Sequence, residues 1–260
     1  MNQLLRLLNI MERLRDPENG CPWDLKQTFS SIAPYTVEEV FEVIDAIDRQ
    51  DFPQLQDELG DLLLQIVYYA QIAKEQDLFD FNDIAKSICD KLVRRHPHVF
   101  EKDGAEFSAV SWESIKKIER AEKSMMTADS IMNDIPMALP QVLRAKKIQK
   151  RASTVGFDWS NTEDVLLKVE EELNELKTEI SDSSKEQKLE EELGDVLFSI
   201  VNLSRHLKIN SEDALRKSNN KFICRFKYIE NKLKKESKQF DDCTINEFEN
   251  YWNDAKKALS

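Results

Sequence analysis

The strings QDELGDLLLQIV at residues 56–67 and EEELGDVLFSIV at residues 190–201 are near copies of each other, and they sit inside a longer repeat. YTVEEVFEVIDAI (35–47) matches KVEEELNELKTEI (168–180), and DIAKSICDKLVRRHPHVFE (83–101) matches DALRKSNNKFICRFKYIE (213–230). VSWESIKKIE (110–119) resembles NYWNDAKKAL (250–259). The order is preserved and the displacement stays at about 130 to 140 residues, which chance likeness between charged helices does not do. The pattern predicts two tandem homologous domains, residues 1–123 and 136–260. The intervening 124–135 is a linker, within a stretch of prolines, methionines and small polar residues that has no long periodic face.

Five glycines in 260 residues, and no alternating Val/Ile/Thr runs between turn clusters, predict an all-α chain. Each copy reads as a short antiparallel helical array, with loops near Asp51-Phe52-Pro53 and at 181–184. A 41% hydrophobic content supplies a core. The net charge of -12 argues against a nucleic-acid polymer as partner, since phosphate backbones are held by an excess of lysine and arginine. It leaves room for a small phosphorylated ligand met by a divalent cation and a few local basic groups. Cys21, Cys89, Cys224 and Cys243 are scattered without metal-ligand spacing, so they read as reduced thiols in a cytoplasmic protein. The first twenty residues carry charges among their apolar positions and form neither a signal peptide nor a membrane span, so no membrane partner is expected.

The repeated motif places acids three apart, hence on one helix face. Glu39 with Glu42 and Glu58 with Asp61 form the pairs of the first copy; Glu172 with Glu175 and Glu192 with Asp195 form those of the second. From each pair to its loop is about five to seven residues, so at ~1.5 Å per residue the arms of each hairpin are of similar length. Antiparallel packing then brings four carboxylates level. Such a cluster is destabilising without protonation, basic partners or a bound cation. All-oxygen ligands favour a hard ion, Mg²⁺ most simply, with Mn²⁺ as its substitute. A single Glu-x-x-Glu normally marks a solvated helix face. Here Asp195 is followed by Val196, Leu197, Phe198, Ile200 and Val201, and the arrangement occurs twice, which argues for a site.

The acidic pattern, with GCPWD (20–24), RRHPHVFE (94–101), KIQKRASTVGFDW (147–159) and KVEEELNE (168–175), resembles the two-domain bacterial MazG-type nucleoside triphosphate pyrophosphohydrolases. The resemblance runs over essentially the whole chain and is weakest in the linker. It implies two MazG-like domains whose helical hairpins pair into bundles, in a homodimer. It also implies Mg²⁺-dependent hydrolysis of nucleoside triphosphates to monophosphate and diphosphate, with broad nucleotide tolerance. Carried over by position, Glu172, Glu175, Glu192 and Asp195 become the metal-binding acids. Lys168, Glu170 and Glu171 become nucleotide contacts, as do Lys221 and Arg225 in KFICR and Trp252 near the end of the chain. Lys168 precedes Glu172 by one helical turn, and Lys221 and Arg225 share a face, so all three suit phosphate. Trp252 either stacks on the base or packs in the last helix. Glu171 and Glu175 are the alternatives for the carboxylate that takes the proton of water, while Glu172 is the acid on which turnover should depend.

Both copies keep four acids, so Glu39, Glu42, Glu58 and Asp61 make a possible second site. Lys168 aligns with Tyr35, whereas Lys91, Arg95 and Trp112 keep the positions of Lys221, Arg225 and Trp252. The expectation is a catalytic second domain and a structural, regulatory or weakly active first one. A di-iron bundle is excluded, because no histidine has a glutamate three residues before it. His96 and His98 read as part of a turn around Pro97, and His206 as a helix-end residue. Two rival readings stay open: a non-catalytic helical scaffold with a decayed site, and a narrow-specificity dUTP or phosphoribosyl-ATP hydrolase.

Overall fold

The computed structural model describes residues 2–100, 130–133, 135–181 and 186–259. The chain divides into two compact units, Met1–Arg120 and Ala121–Ser260. Among the described residues there is no strand. The expected linker 124–135, most of the expected loop 181–184 and Trp112, the first-copy counterpart of Trp252, lie largely or wholly outside those residues.

The first unit comprises α1 (Gln3–Leu14), a 3-10 turn (Asp24–Lys26), α2 (Phe29–Arg49), α3 (Phe52–Glu75), α4 (Phe81–Arg95) and the single turn α5 (Pro97–Phe100). α2 and α3 form its principal pair, while α1 and α4 pack on α3. Thr28 starts α2 through a reciprocal cap: Ser31 N–H donates to Thr28 Oγ1 at 3.2 Å, and Thr28 N–H donates to Ser31 Oγ at 2.8 Å. α2 stops where Gln50 enters the left-handed region (φ 55°), with its N–H turned back to Ala46 and Ile47 carbonyls. Asp51 then caps α3 by accepting from Gln54 N–H at 3.2 Å. The connection is therefore Gln50–Asp51, tighter than the sequence suggested. Phe52 and Pro53 already lie in the first turn of α3, where a missing N–H costs nothing.

Met11, Ile32, Val67, Tyr68 and Ile72 form the core of this unit, flanked by Leu7, Leu8, Phe29 and Leu64. Beside it lies a buried polar brace. Arg15 grips Glu75 through Nε (2.8 Å) and Nη2 (2.6 Å) and donates from Nη1 to the Asp24 and Gln27 carbonyls. The Tyr68 hydroxyl donates to Asp24 Oδ1 at 2.6 Å. Burial and the Asp24 carboxylate push that phenol well above its ordinary range.

The second unit comprises α6 (Gln141–Ser153), α7 (Thr162–Ser181), α8 (Glu186–His206), α9 (Ser211–Glu236), a 3-10 turn (Phe240–Asp242) and α10 (Ile245–Ala258). α7 and α8 pair extensively, α6 lies on α8, and α9 with α10 makes a second hairpin that touches α6 and α8 more sparsely. Val165 and Val169 of α7, with Val196 and Val201 of α8, are buried. The α9–α10 hairpin has its own core of Ile229, Leu233 and Tyr251, with Phe248 and Trp252 packed on it. Lys232 Nζ meets Asp254 at 2.6 Å across that hairpin. Thr244 and Glu247 cap α10 reciprocally, and Lys238 Nζ joins Glu247 at 3.0 Å.

All four cysteines are free thiols. Among the described residues no helix is long and apolar enough to cross a membrane. His96 ends α4 with Nδ1 2.7 Å from the Leu92 carbonyl, and Pro97 opens α5, so the histidine pair sits at a helix junction. His206 closes α8, where its Nε2 lies 3.0 Å from Asp158 Oδ1.

Candidate functional site

In the second unit, α7 supplies Glu172 and α8 supplies Glu192 and Asp195, one helical turn apart. One carboxylate oxygen from each lies within 4.8 Å of the others. Glu172 is buried, Glu192 half-buried and Asp195 exposed, so the trio stands at the margin of the hairpin core with one open side. Glu175, a turn beyond Glu172, is exposed and outside this trio. Its carboxyl is pushed up by desolvation and by the charges of Glu172 and Glu192. Lys168 Nζ stands 2.8 Å from Glu172 and 3.1 Å from Glu171, and those hydrogen bonds raise the ammonium above its ordinary value. Glu170 and Glu171 are exposed on α7.

The first unit repeats the arrangement with Glu39, Glu58 and Asp61 inside the same separation, and Glu42 again outside. Burial, then Asp61 and Glu58, push the Glu39 carboxyl up; Glu58 does the same to Glu42. Tyr35 stands where Lys168 would be, and among the described residues the acids are met by neutral amides. Gln65 Nε2 donates to Glu39 at 3.4 Å, and Gln54 donates to Glu58. Three converging carboxylates whose neighbours are pushed toward protonation make a donor set that fits a hard divalent cation in either unit.

A cavity of about 340 Å³ opens beside the acids of the second unit. Lys168, Glu172 and Asp195 line one side, and Gln149, Phe157 and Trp159 line others. Gly156 (φ 86°) lets the chain turn out of α6 into this loop. Asp158, between the two aromatics, is paired with Arg205 and His206, which hold its carboxyl below the usual range and anchor the loop to the end of α8. The string KIQKRASTVGFDW contains this loop, but its spacing alone gives the loop no role. Its usable signal was two large aromatics around an acid, in a glycine-hinged loop directly ahead of the acidic helix.

Lys221, Arg225 and Trp252 do not line that cavity. The Arg225 guanidinium lies over the Trp252 ring at 5.7 Å, and Phe222 packs on the same ring with centroids 5.1 Å apart. Lys221 is exposed one turn before Arg225. The structure thus gathers the acids with Lys168, and separately gathers a basic and aromatic group on the α9–α10 hairpin.

The MazG nucleotide pyrophosphohydrolase domain model matches residues 27–100 and again 160–229, covering both acidic hairpins. An Escherichia coli (strain K12) protein named nucleoside triphosphate pyrophosphohydrolase is 51% identical over 261 residues, spanning 99% of this chain and 98% of its own. A Thermotoga maritima protein named nucleoside triphosphate pyrophosphohydrolase/pyrophosphatase MazG is 45% identical over 250 residues, spanning 96% of this chain and 94% of its own. With both hairpins matched and relatives aligned from end to end, the chain belongs to the MazG nucleotide pyrophosphohydrolase family.

Proposed function

We propose that this protein is a cytoplasmic, Mg²⁺-dependent nucleoside triphosphate pyrophosphohydrolase of broad nucleotide range, acting mainly through residues 136–260. The observation that carries the reading is the Glu172–Glu192–Asp195 trio with Lys168 at the rim of a ligand-sized cavity. The names of the full-length relatives agree with it. In the reaction a water oxygen bonds to phosphorus, the α–β bridging bond breaks, and the products are a nucleoside monophosphate and diphosphate.

Glu172, Glu192 and Asp195 are the residues that would hold Mg²⁺ or Mn²⁺, which supplies charge neutralisation at phosphate oxygens. Lys168 adds a positive group one turn away, and Glu171 keeps its ammonium at the rim. Glu175 is the better placed of the two candidate proton acceptors. It is open to water beside the trio, whereas Glu171 is engaged with Lys168. Lys221 and Arg225 carry the right charge for a triphosphate. The packing of Trp252 under Arg225 favours a supporting role for that ring over base stacking.

A homodimer accounts for the apolar side chains left uncovered along this hairpin, Leu173 and Ile180 on α7 and Leu193 and Leu197 on α8. The test is diphosphate release from a mixed nucleotide pool with and without Mg²⁺, alongside calorimetric Mg²⁺ titration of the same proteins. Glu172→Ala should lower turnover by at least about a hundredfold and remove one class of metal site, with Glu39→Ala keeping most turnover. The opposite ranking overturns the assignment to the second unit.

A further inference from the structure

We propose that the cavity beside the acids of the second unit is a nucleobase pocket in which Gln149 accepts a hydrogen bond from a ring or amino N–H of the base. The proposal rests on the pyrophosphohydrolase reading and adds to it the part of the substrate that the acids cannot recognise. Gln149 lines the cavity and is only 6% exposed. Its Nε2 donates to the Phe198 carbonyl at 2.8 Å. A carbonyl can only accept, so this bond fixes which end of the carboxamide is which. The remaining atom, Oε1, is buried and has no hydrogen-bond partner. Native structures rarely leave a buried acceptor in that condition, and a donor brought by a ligand resolves it.

The rest of the wall is suited to a flat ring. Phe157 is 77% exposed and Trp159 is 40% exposed, so the chain leaves two large aromatic faces uncovered in one short loop. The Asp158–Arg205 and Asp158–His206 pairs fix the loop that presents them. Aromatic walls with one unpartnered buried acceptor, the other buried amide Asn202 having its oxygen taken by Arg205, describe a receptor for a planar heteroaromatic group bearing N–H. The volume lies at the lower end for ligand pockets and suits a nucleoside, with the phosphates directed toward Lys168, Glu172 and Asp195 on the same rim.

A lone acceptor does not choose among the standard bases. Adenine and cytosine offer an amino group, guanine an amino and an imino group, and uracil and thymine an imino group. Gln149 therefore admits all of them and rejects rings that carry no N–H, which is how one polar atom supports a broad substrate range.

The first unit provides an internal comparison. Ten residues after Glu192 stands Asn202, which lines the cavity; ten residues after Glu58 stands Tyr68. That ring is buried, with its hydroxyl spent on Asp24. At this position the first copy puts a large tethered side chain where the second keeps a smaller one on the cavity wall.

The experiment uses the full chain and compares kcat/KM for ATP and for purine riboside triphosphate, which has the same sugar and phosphates and no N–H on its ring. Wild type should favour ATP by about tenfold, the weight of one well-placed hydrogen bond, through KM. Gln149→Leu should bring the ratio of kcat/KM for ATP over the analogue to about one, whatever the absolute level of each, a collapse of discrimination that general loss of structure does not produce. Phe157→Ala, at an exposed position, should raise KM for both substrates alike. Equal wild-type values for the two substrates, or full discrimination retained by Gln149→Leu, overturn the pocket while diphosphate release from ATP upholds the parent reading. Should Gln149→Leu fail to fold by circular dichroism, the wild-type ratio and Phe157→Ala decide. A wild-type protein inert toward both triphosphates overturns the parent reading and the pocket together.

Discussion

Lys168 illustrates how one residue separates two nearly identical acid clusters. Its ammonium is shared between Glu171 and Glu172, the second of which belongs to the converging trio. If the same ammonium meets a phosphate, as proposed, metal and substrate draw on it in opposite senses. Lys168→Met should raise KM for ATP by about tenfold while leaving Mg²⁺ binding in calorimetry equal or tighter, because a cation competing for Glu172 is gone. Weakened metal binding in that variant would contradict this account of the pair. Three of the four acids expected to converge in each hairpin do so, since spacing of three on a helix and similar hairpin arms are one-dimensional facts; Glu175 and Glu42 stay outside the trios. Gln149 and Asn202 were not legible in the sequence. A single amide on each of two different helices carries no periodicity, and its meaning depends on which carbonyl or side chain packs against it.

At the scale of helices, the ends are set by local chemistry that short strings reveal. Thr28 with Ser31, Asp80 with Asp83 and Thr244 with Glu247 each close a reciprocal cap. The Gln50–Asp51 turn was harder to place, because a non-glycine residue at positive φ leaves no sequence signature. The Glu247 cap yields a pH prediction. The Thr244 backbone N–H, with Lys238, holds this carboxyl down to about 2. A depressed carboxyl stabilises the fold fully above the ordinary carboxylate range, and that stability is lost as pH falls through the depressed value. The difference in melting temperature between wild type and Glu247→Gln should therefore be largest near neutrality and shrink as pH drops toward about 2. A gap that widens on acidification would show that Glu247 acts otherwise.

At the scale of the whole molecule, the repeat announced two helical units, and the structure and the doubled family match agree. The exact division was less readable, because the connecting stretch lacks periodic faces. The homodimer is an expectation that rests on resemblance alone. The exposed apolar side chains of α7 and α8 become meaningful once the helices exist to align them. Leu197 is 58% exposed next to the acid-bearing turn of α8. If the hairpins pair between copies, Leu197→Glu should halve the mass measured by light scattering while helical content by circular dichroism is retained. An unchanged mass would place the interface elsewhere.

Tyr68 has a consequence for how this duplicated chain can change. Trimming its ring to asparagine, to imitate the other copy, would strand the carboxylate of Asp24 without its phenol donor, at a cost of about 1–3 kcal/mol, and would unsettle the neighbouring Arg15 grip on Glu75. Making room at Tyr68 therefore takes coordinated changes at Asp24 and around Arg15 as well. If the halves divide the labour as proposed, that division behaves as a ratchet: drift can deepen the specialisation of the first half far more readily than reverse it.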